Sequence, residues 1–348
     1  MQNKFKRVGV ILLLVSILFY TMACTKTNPP ADVGEDNLQQ GEDISEIPQN
    51  KIINIAALNG PTGMGMVKLI EDNANNKGLL DYDFTLVSSP DDLVGKVINK
   101  EVDIAAVPSN LAMVLYNRTE GDIQLAAVNT LGVSYILENG DSLHSIEDLK
   151  GKTINVSGKG AIPDYALQYI LNKNGMEVDK DVMVDFKLQH AELAAAMVEG
   201  DVDIALLPQP HVTTVMMKNP DIRIALDITE EWKKVSDDKG QLAMGVIIVQ
   251  KEFADNNKEM LDVFLEEYRR SVEFVNKEVD EAAELVEKYE ILPNANIAKK
   301  AIPYSNIVYI DAQDAKGFLD ELYQILYNFE PKSIGGKLGN EEFYYKKQ

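Results

Sequence analysis

Glu101-Val102-Asp103-Ile104-Ala105-Ala106-Val107-Pro108-Ser109-Asn110 returns a hundred positions later as Asp201-Val202-Asp203-Ile204-Ala205-Leu206-Leu207-Pro208-Gln209-Pro210. Each copy predicts a short buried strand that stops at a proline and leads into a helix. Further echoes flank it: Ile53-Asn54-Ile55 recurs as Ile154-Asn155-Val156, Leu93 as Leu193, and Asp122-Ile123 as Asp221-Ile222. A nearly constant offset over several elements marks one fold used twice. Two similar α/β halves facing each other enclose a cleft, and function is expected there.

Working outward, the halves read as follows. Ile52 to Leu58 is a β-branched run that ends in Asn59-Gly60-Pro61-Thr62-Gly63, and Met66, Leu69 and Ile70 follow at helical spacing. Tyr82 to Val87 and Val102 to Val107 read as strands with the helix Asp91 to Lys100 between them. Strands alternating with helices predict parallel strands joined by crossovers. Ile123 to Val128 is strand-like, and the chain runs on through Val133 to Leu137. The pattern then restarts: strand Thr153 to Val156, turn Ser157 to Gly160, helix Pro163 to Leu171, strand Val182 to Leu188, helix Ala191 to Val198 and the echo strand. Ile222 to Ile228 closes the second half, and Ala243 to Val249 returns as a strand to the first. The remainder reads as mostly helical, over Met260 to Val275, Ala282 to Tyr289 and Ala315 to Leu326. The expected lobes are therefore 51–132 plus 240–348, and 133–239. Two crossings between them permit hinge closure on a ligand.

The amino terminus reads as a processing signal. Lys4, Lys6 and Arg7 precede an apolar run from Val8 to Tyr20. As a helix it would reach about 20 Å, short of a hydrocarbon core about 30 Å thick, so it predicts a signal peptide over 1–23. Thr21-Met22-Ala23-Cys24 resembles a lipobox, with Thr21 in place of the usual aliphatic residue. Cys24 is the only cysteine. Its flank, Thr25 to Asn50, is acidic and holds Pro29-Pro30, so 24–50 is expected to be a lipidated, flexible tether. The body then has no thiol for a disulfide, a zinc knuckle or a nucleophile.

The 348 residues carry a formal charge of −21, and loss of the signal peptide, with three cations and no acid, takes it to −24. Such a surface repels phosphate backbones and anionic membranes, which argues against nucleic acid as a partner, and solubility is the simpler reading of the charge. Hydrophobic residues make up 45% of the chain, enough for a folded core and against a disordered protein.

The opening strand with Asn59-Gly60-Pro61-Thr62-Gly63, the segment Val102-Asp103-Ile104-Ala105 before a proline, and Ser145-Ile146-Glu147-Asp148-Leu149-Lys150-Gly151-Lys152 together carry a resemblance. Over about residues 51 to 345 the chain resembles solute-binding proteins of bacterial ABC importers, in the branch serving nitrate, sulfonates, taurine and thiamine-type pyrimidine precursors. The resemblance implies a type II periplasmic-binding-protein fold with a helical carboxyl-terminal segment. It further implies a monomer that needs no cofactor and delivers a small solute to a membrane permease with a cytoplasmic ATPase. With Cys24 lipidated, the protein would sit on the outer face of the bacterial cytoplasmic membrane.

In open α/β sheets ligands bind beyond the carboxyl ends of strands. Four places qualify here. In the first, Asn59, Gly60, Pro61, Thr62, Gly63 and Met64 offer backbone N–H groups and a hydroxyl at a helix start, against the blander reading of an ordinary turn. Ser109 and Asn110 form the second, with helix capping an equal explanation. The third is Ser157, Gly158, Lys159 and Gly160, with Asp164 and Tyr165 on the next helix. There Lys159 can pair with an anion or simply be solvated, and Tyr165 can stack on a planar ligand or pack on the rim. The fourth joins Gln189 and His190 to Gln209 and His211. No acid stands at ligand spacing with these histidines, and His144 lies between the halves, so no metal is expected. The five arginines, Arg7, Arg118, Arg223, Arg269 and Arg270, all fall away from predicted strand ends. Bidentate recognition of an anion is therefore not foreseen, and a neutral or aromatic solute is favoured.

Enzymatic classes find little support. Gly-x-Ser-x-Gly and Gly-x-x-x-x-Gly-Lys-Ser/Thr do not occur, and Gly158-Lys159-Gly160 fails as a dinucleotide fingerprint at Pro163. The alternatives to transport are a ligand-binding sensor subunit and an enzyme of the same fold, such as a menaquinone-pathway type.

Overall fold

The computed structural model describes residues 51–236 and 240–347. The signal peptide, lipobox and tether lie outside the described residues. Among the described residues eleven strands form two sheets. They are β1 (Ile52–Leu58), β2 (Asp81–Val87), β3 (Ile104–Pro108), β4 (Ile123–Thr130), β5 (Ser134–Asn139), β6 (Thr153–Val156), β7 (Met183–Asp185), β8 (Ile204–Pro208), β9 (Ile222–Asp227), β10 (Gly245–Gln250) and β11 (Ile307–Asp311). The first sheet has the order β11-β4-β10-β3-β1-β2 and the second β7-β6-β8-β5-β9. Laid side by side, β2-β1-β3-β10-β4 and β7-β6-β8-β5-β9 are the same arrangement, so the repeat is a repeat of topology. β3 and β8, the two echo strands, hold the same central place.

The expectation of parallel strands needs one correction. β10 runs antiparallel to β3 and β4, and β5 runs antiparallel to β8 and β9. Each of these strands enters its sheet from the other half, so it arrives from the opposite direction to the locally wound βαβ strands. The run from Ile123 to Leu137 is likewise two strands in different sheets, divided at Leu131-Gly132-Val133. β11, a short edge strand on β4, stands in the part of the chain read as mostly helical. Its five residues are mostly half-buried and lie between helices, which leaves little periodic signal.

Alternation along the buried strands divides the core. Ile53, Ile55, Ile104, Ile247 and Val249 pack with Phe264, Leu265 and Tyr268 of helix Lys258–Lys277. Ala56, Ala105, Val107, Val246 and Ile248 face Leu319, Leu322 and Tyr323 of helix Ala312–Phe329. Burying each such large side chain stabilises the fold by about 1.5–3 kcal/mol. A sheet covered on both faces accounts for the near-continuous apolar strands. In the echo motif Asp103 is structural: its carboxylate accepts from Asn54 N and Nδ2 at 2.9 and 3.1 Å, tying β1 to β3.

Candidate functional site

The carboxyl ends of β1, β3 and β6 carry the first three stretches singled out above, and the fourth is divided between the segments after β7 and β8. At the end of β1, Asn59 N donates to Val87 O at 2.8 Å and its Nδ2 to Ser88 Oγ at 3.3 Å. Gly60, at φ 94°, caps a one-turn helix, Pro61–Met64, and a side chain placed there would meet nothing within 4 Å. Gly63 is the opposite case, since a Cβ would stand 2.7 Å from Leu58 O. Pro61 and Thr62 are half-buried. Met64 is fully buried in the apolar core beside Ile53 and Ile55, so it belongs to packing and not to a solvent-facing turn.

Past β3 the polar side chains are engaged elsewhere. Ser109 is fully buried, donates to Ala243 O at 2.6 Å, and receives the Tyr323 hydroxyl on its carbonyl at 2.9 Å. Asn110 Nδ2 donates to Ser333 O at 3.4 Å. These bonds pin the start of helix Ser109–Arg118 to the returning segment before β10 and to the carboxyl-terminal region.

The second half assembles its residues more closely. Ser157, 2% exposed at the end of β6, is hydrogen-bonded through Oγ to His190 Nδ1. The His190 and His211 rings lie 5.4 Å apart between centroids, tilted by 34°. Gly158, at φ 80°, brings its backbone up to His190: a Cβ there would stand 3.4 Å from His190 Cε1. Gly160 N donates to Asp164 Oδ2 at 2.8 Å, and Gln168 Nε2 holds the other oxygen at 2.7 Å. Lys159 is exposed and its ammonium sits 5.3 Å from the Phe186 ring centroid, beside the edge strand β7 and away from the histidines. Gln189 is exposed and forms a capping box with Glu192, while Gln209 is buried with its Oε1 accepting from Thr213 Oγ1 at 2.8 Å. Both glutamines therefore act first as local helix-start ligands. Tyr165 is half-buried on helix Ile162–Lys173, and burial, then Asp164 and Glu330, push its phenol up.

Contacts between the halves include two near these residues. Tyr169 stacks edge-on against Phe329 at 6.0 Å, and helix His211–Lys218 approaches helix Ala295–Ala301. No hydrogen bond joins the turn at Gly60 to the turn at Gly158 among the described residues.

Electrostatically the histidine pair is neutral near pH 7. Burial lowers His190, and burial together with the neighbouring His190 takes His211 from 6.5 to about 4. Arg223 is held by Glu138 at 2.6 Å, and Arg269 and Arg270 by Glu266. The cluster thus offers neutral donors and acceptors. A Ser–His contact can also be the start of a nucleophile-and-base pair, but a third group must then stabilise the imidazolium. Here the neighbouring group is a second imidazole, which opposes that charge. Among the described residues no three His, Cys, Asp or Glu side chains stand close enough to hold a metal ion. The sequence reading passed over Ser333, whose carbonyl accepts from Asn110, and a cavity lined by Leu131, Tyr135, Asp227 and Tyr304. Ser333 follows no strand of the duplicated unit, and the cavity, although it lies past the ends of β4 and β9, draws Tyr304 from outside the repeat.

Comparison with known proteins places this architecture. Residues 123–282 match the family model described as NMT1/THI5 like. No curated protein matches the chain. An ABC transporter protein from Parabacteroides distasonis is 22% identical, with 85% of this chain and 99% of that chain covered and a TM-score of 0.72. The periplasmic aliphatic sulphonate binding protein SsuA from Escherichia coli is 14% identical, covering 85% and 92%, with a TM-score of 0.68. The Candida albicans CA3427 gene product, which is described as having the generic periplasmic binding protein fold, is 13% identical, covering 84% and 93%, with a TM-score of 0.54. These comparisons agree with the resemblance drawn from the opening turn, the echo strand and the segment between the halves. The chain has the type II periplasmic-binding-protein fold of these structures, and its residues 123–282 match the NMT1/THI5-like model.

Proposed function

We propose that the protein is an exported, lipid-anchored solute-binding component of an ABC importer. It captures a small organic solute between lobes 51–132 plus 240–348 and 133–239, and presents it as a monomer to a membrane permease with a cytoplasmic ATPase. Cys24 is the site of lipidation. The observation that carries this reading is the convergence of Ser157, His190 and His211 at the ends of β6 and the helix starts beside β8, above the backbone of Gly158. Gly60 and Thr62 supply the facing wall from the first half. Closure is driven only by contacts that are better in the closed state, so a bound solute touches both walls.

The charge around the cluster favours a neutral or aromatic solute over an anion. Neutral imidazoles can hydrogen-bond such a guest, and Lys159 stands over Phe186 instead of over the cluster. The name of the Escherichia coli relative says that it binds aliphatic sulphonates, and a sulfonate here would lean on helix starts instead of a cation. Among the described residues no helix is long and apolar enough to cross a membrane, which is compatible with anchorage through Cys24 alone.

A thermal-shift screen of the exported chain against pyrimidines, sulfonates, nitrate and amino acids should single out one class. Calorimetry with that ligand should then show at least about tenfold weaker binding for Ser157→Ala and His211→Gln, equivalent to one lost hydrogen bond. Lys258→Ala, an exposed control, should bind as wild type. Equal affinities in all three variants would remove the site from this cluster.

A further inference from the structure

The first crossing between the sheets is short: Thr130 ends β4, Ser134 begins β5, and Leu131, Gly132 and Val133 lie between them. Its polar backbone atoms are shared between the halves. Leu131 N donates to Asn306 O at 3.0 Å, and the Asn306 side chain donates through Nδ2 to Gly132 O. Asn306 directly precedes β11 of the first sheet. Val133 O instead accepts from Gln209 N at 2.9 Å, past the end of β8 in the second sheet and two residues before His211. Each peptide is a rigid plane, so the peptide before the Val133 Cα is tied to one half and the peptide after it to the other. The two torsions of Val133 lie between.

A side-chain hydrogen bond spans this point. Tyr135, buried in β5, donates its hydroxyl to Tyr304 O at 3.0 Å, two residues before Asn306. The stretch that receives it is fixed to the first half. Asn306 is held at φ 41°, a left-handed backbone that asparagine tolerates better than most residues. Ile307, the next residue, already pairs with Thr130 in the first sheet. The cavity of about 490 Å³ is lined by Leu131, Tyr135, Tyr304 and Asn306 among others, so the bridge borders open space. The helix Ala295–Ala301, which leads into this stretch, also approaches helix His211–Lys218 of the second half.

We propose that the halves turn about the torsions of Val133, and that Tyr135 is a positioning residue for solute capture whose bond to Tyr304 O holds them in their present arrangement. Turning parts the phenol from that carbonyl, because Asn306 keeps residues 304–306 with the first half while Tyr135 travels with β5. Gln209, tied to Val133, carries the neighbouring His211 with it. A solute shifts the balance between two arrangements only by its differential affinity for them, and the Tyr135 bridge sets the balance from which it starts. This role rests on the reading of the halves as closing lobes, yet it shows in the ligand-free protein.

The test is the distance between spin labels on Lys258→Cys in the first half and Asp201→Cys in the second, both exposed positions. The full chain carries Cys24→Ser, so no native thiol takes up label. Without ligand, Tyr135→Phe should raise the population at a second inter-label distance about fivefold, the worth of one hydrogen bond. Asn306→Gly, which keeps the left-handed backbone and loses the tie to Gly132 O, should broaden the main distance. Asn117→Ala loses two bonds of 2.8 and 2.9 Å that lie within the first half, and it should keep the wild-type distribution. Ser157→Ala should also keep it, so failure of the cleft reads out separately from failure of the pivot. An unaltered distribution in Tyr135→Phe, or an equal change in Asn117→Ala, would overturn the proposal.

Discussion

The turn after β1 and the turn after β6 occupy equivalent places in two copies of one topology; both open on a glycine of positive φ, Gly60 and Gly158, and they differ in the glycines that follow. In the first, Gly63 and Gly65 are glycine because neighbours crowd them: Leu58 O would lie 2.7 Å from a Cβ on Gly63, and the Tyr268 hydroxyl 2.7 Å from one on Gly65. In the second, Gly158 and Gly160 have room for a side chain but adopt φ near 80°. The same division extends to the polar residues. Ser109 and Asn110 brace the first half against β10 and the carboxyl-terminal region, whereas Ser157, His190 and His211 face one another. Duplication preserved the frame, and the two turns diverged into a packed support and a hydrogen-bonding cluster.

The largest expected effect tests the packed side. Gly63→Ala should destabilise the fold by about 3 kcal/mol, since a rigid backbone oxygen cannot move aside, while Gly160→Ala should cost only about 1 kcal/mol of left-handed strain. Denaturant melts of both variants check this, and equal losses would erase the distinction between the turns.

A second expectation concerns acid. His211 titrates near 4 in the folded protein against 6.5 ordinarily, so the unfolded chain takes up its proton first as pH falls. Its contribution is complete above 6.5 and is lost on descent toward 4, reaching about 2 kcal/mol by pH 5. Glu71, in the first half, is held near 2 by hydrogen bonds from Lys288 and Tyr289, so its contribution is present above 4.5 and disappears only as pH falls toward 2. Stability curves of wild type and His211→Gln should therefore diverge between pH 6.5 and 4 and run parallel below it. An unchanged slope in the variant would deny the second half its titrating pair.

The smallest effect belongs to Lys159. Its removal should change stability by less than about 0.5–1 kcal/mol, the worth of an exposed cation–π contact, and leave solute affinity alone. A large loss of affinity in Lys159→Ala, measured by calorimetry, would bring that ammonium back into the cleft.

The frame was legible because buried strands leave an apolar signature and a repeated one marks equivalent positions. Val102 to Val107 and Val202 to Leu207 were readable as strands for that reason, as were the turns at Gly60 and Gly158. β11 left too short a trace between helices. The direction of β5 and β10 was also hidden, since apolar content says nothing of which way a strand enters a sheet. Among polar residues, Ser109, Gln189 and Gln209 stand at the expected strand and helix boundaries, but local position did not reveal which acceptor or donor each would meet. The crossing-segment cavity was less visible still, because Tyr135, Asp227, Gln241 and Tyr304 are scattered along the chain and belong to no common motif.

By itself the chain's amino-acid order determined a twice-used α/β unit, its strand and helix starts, and a strongly acidic net charge, since periodicity and net charge are local or additive properties. Only the tertiary structure decided that Ser157 meets His190 and that Lys159 turns to Phe186. Those outcomes depend on distances between segments far apart in sequence, which are settled when two sheets and their helices pack together.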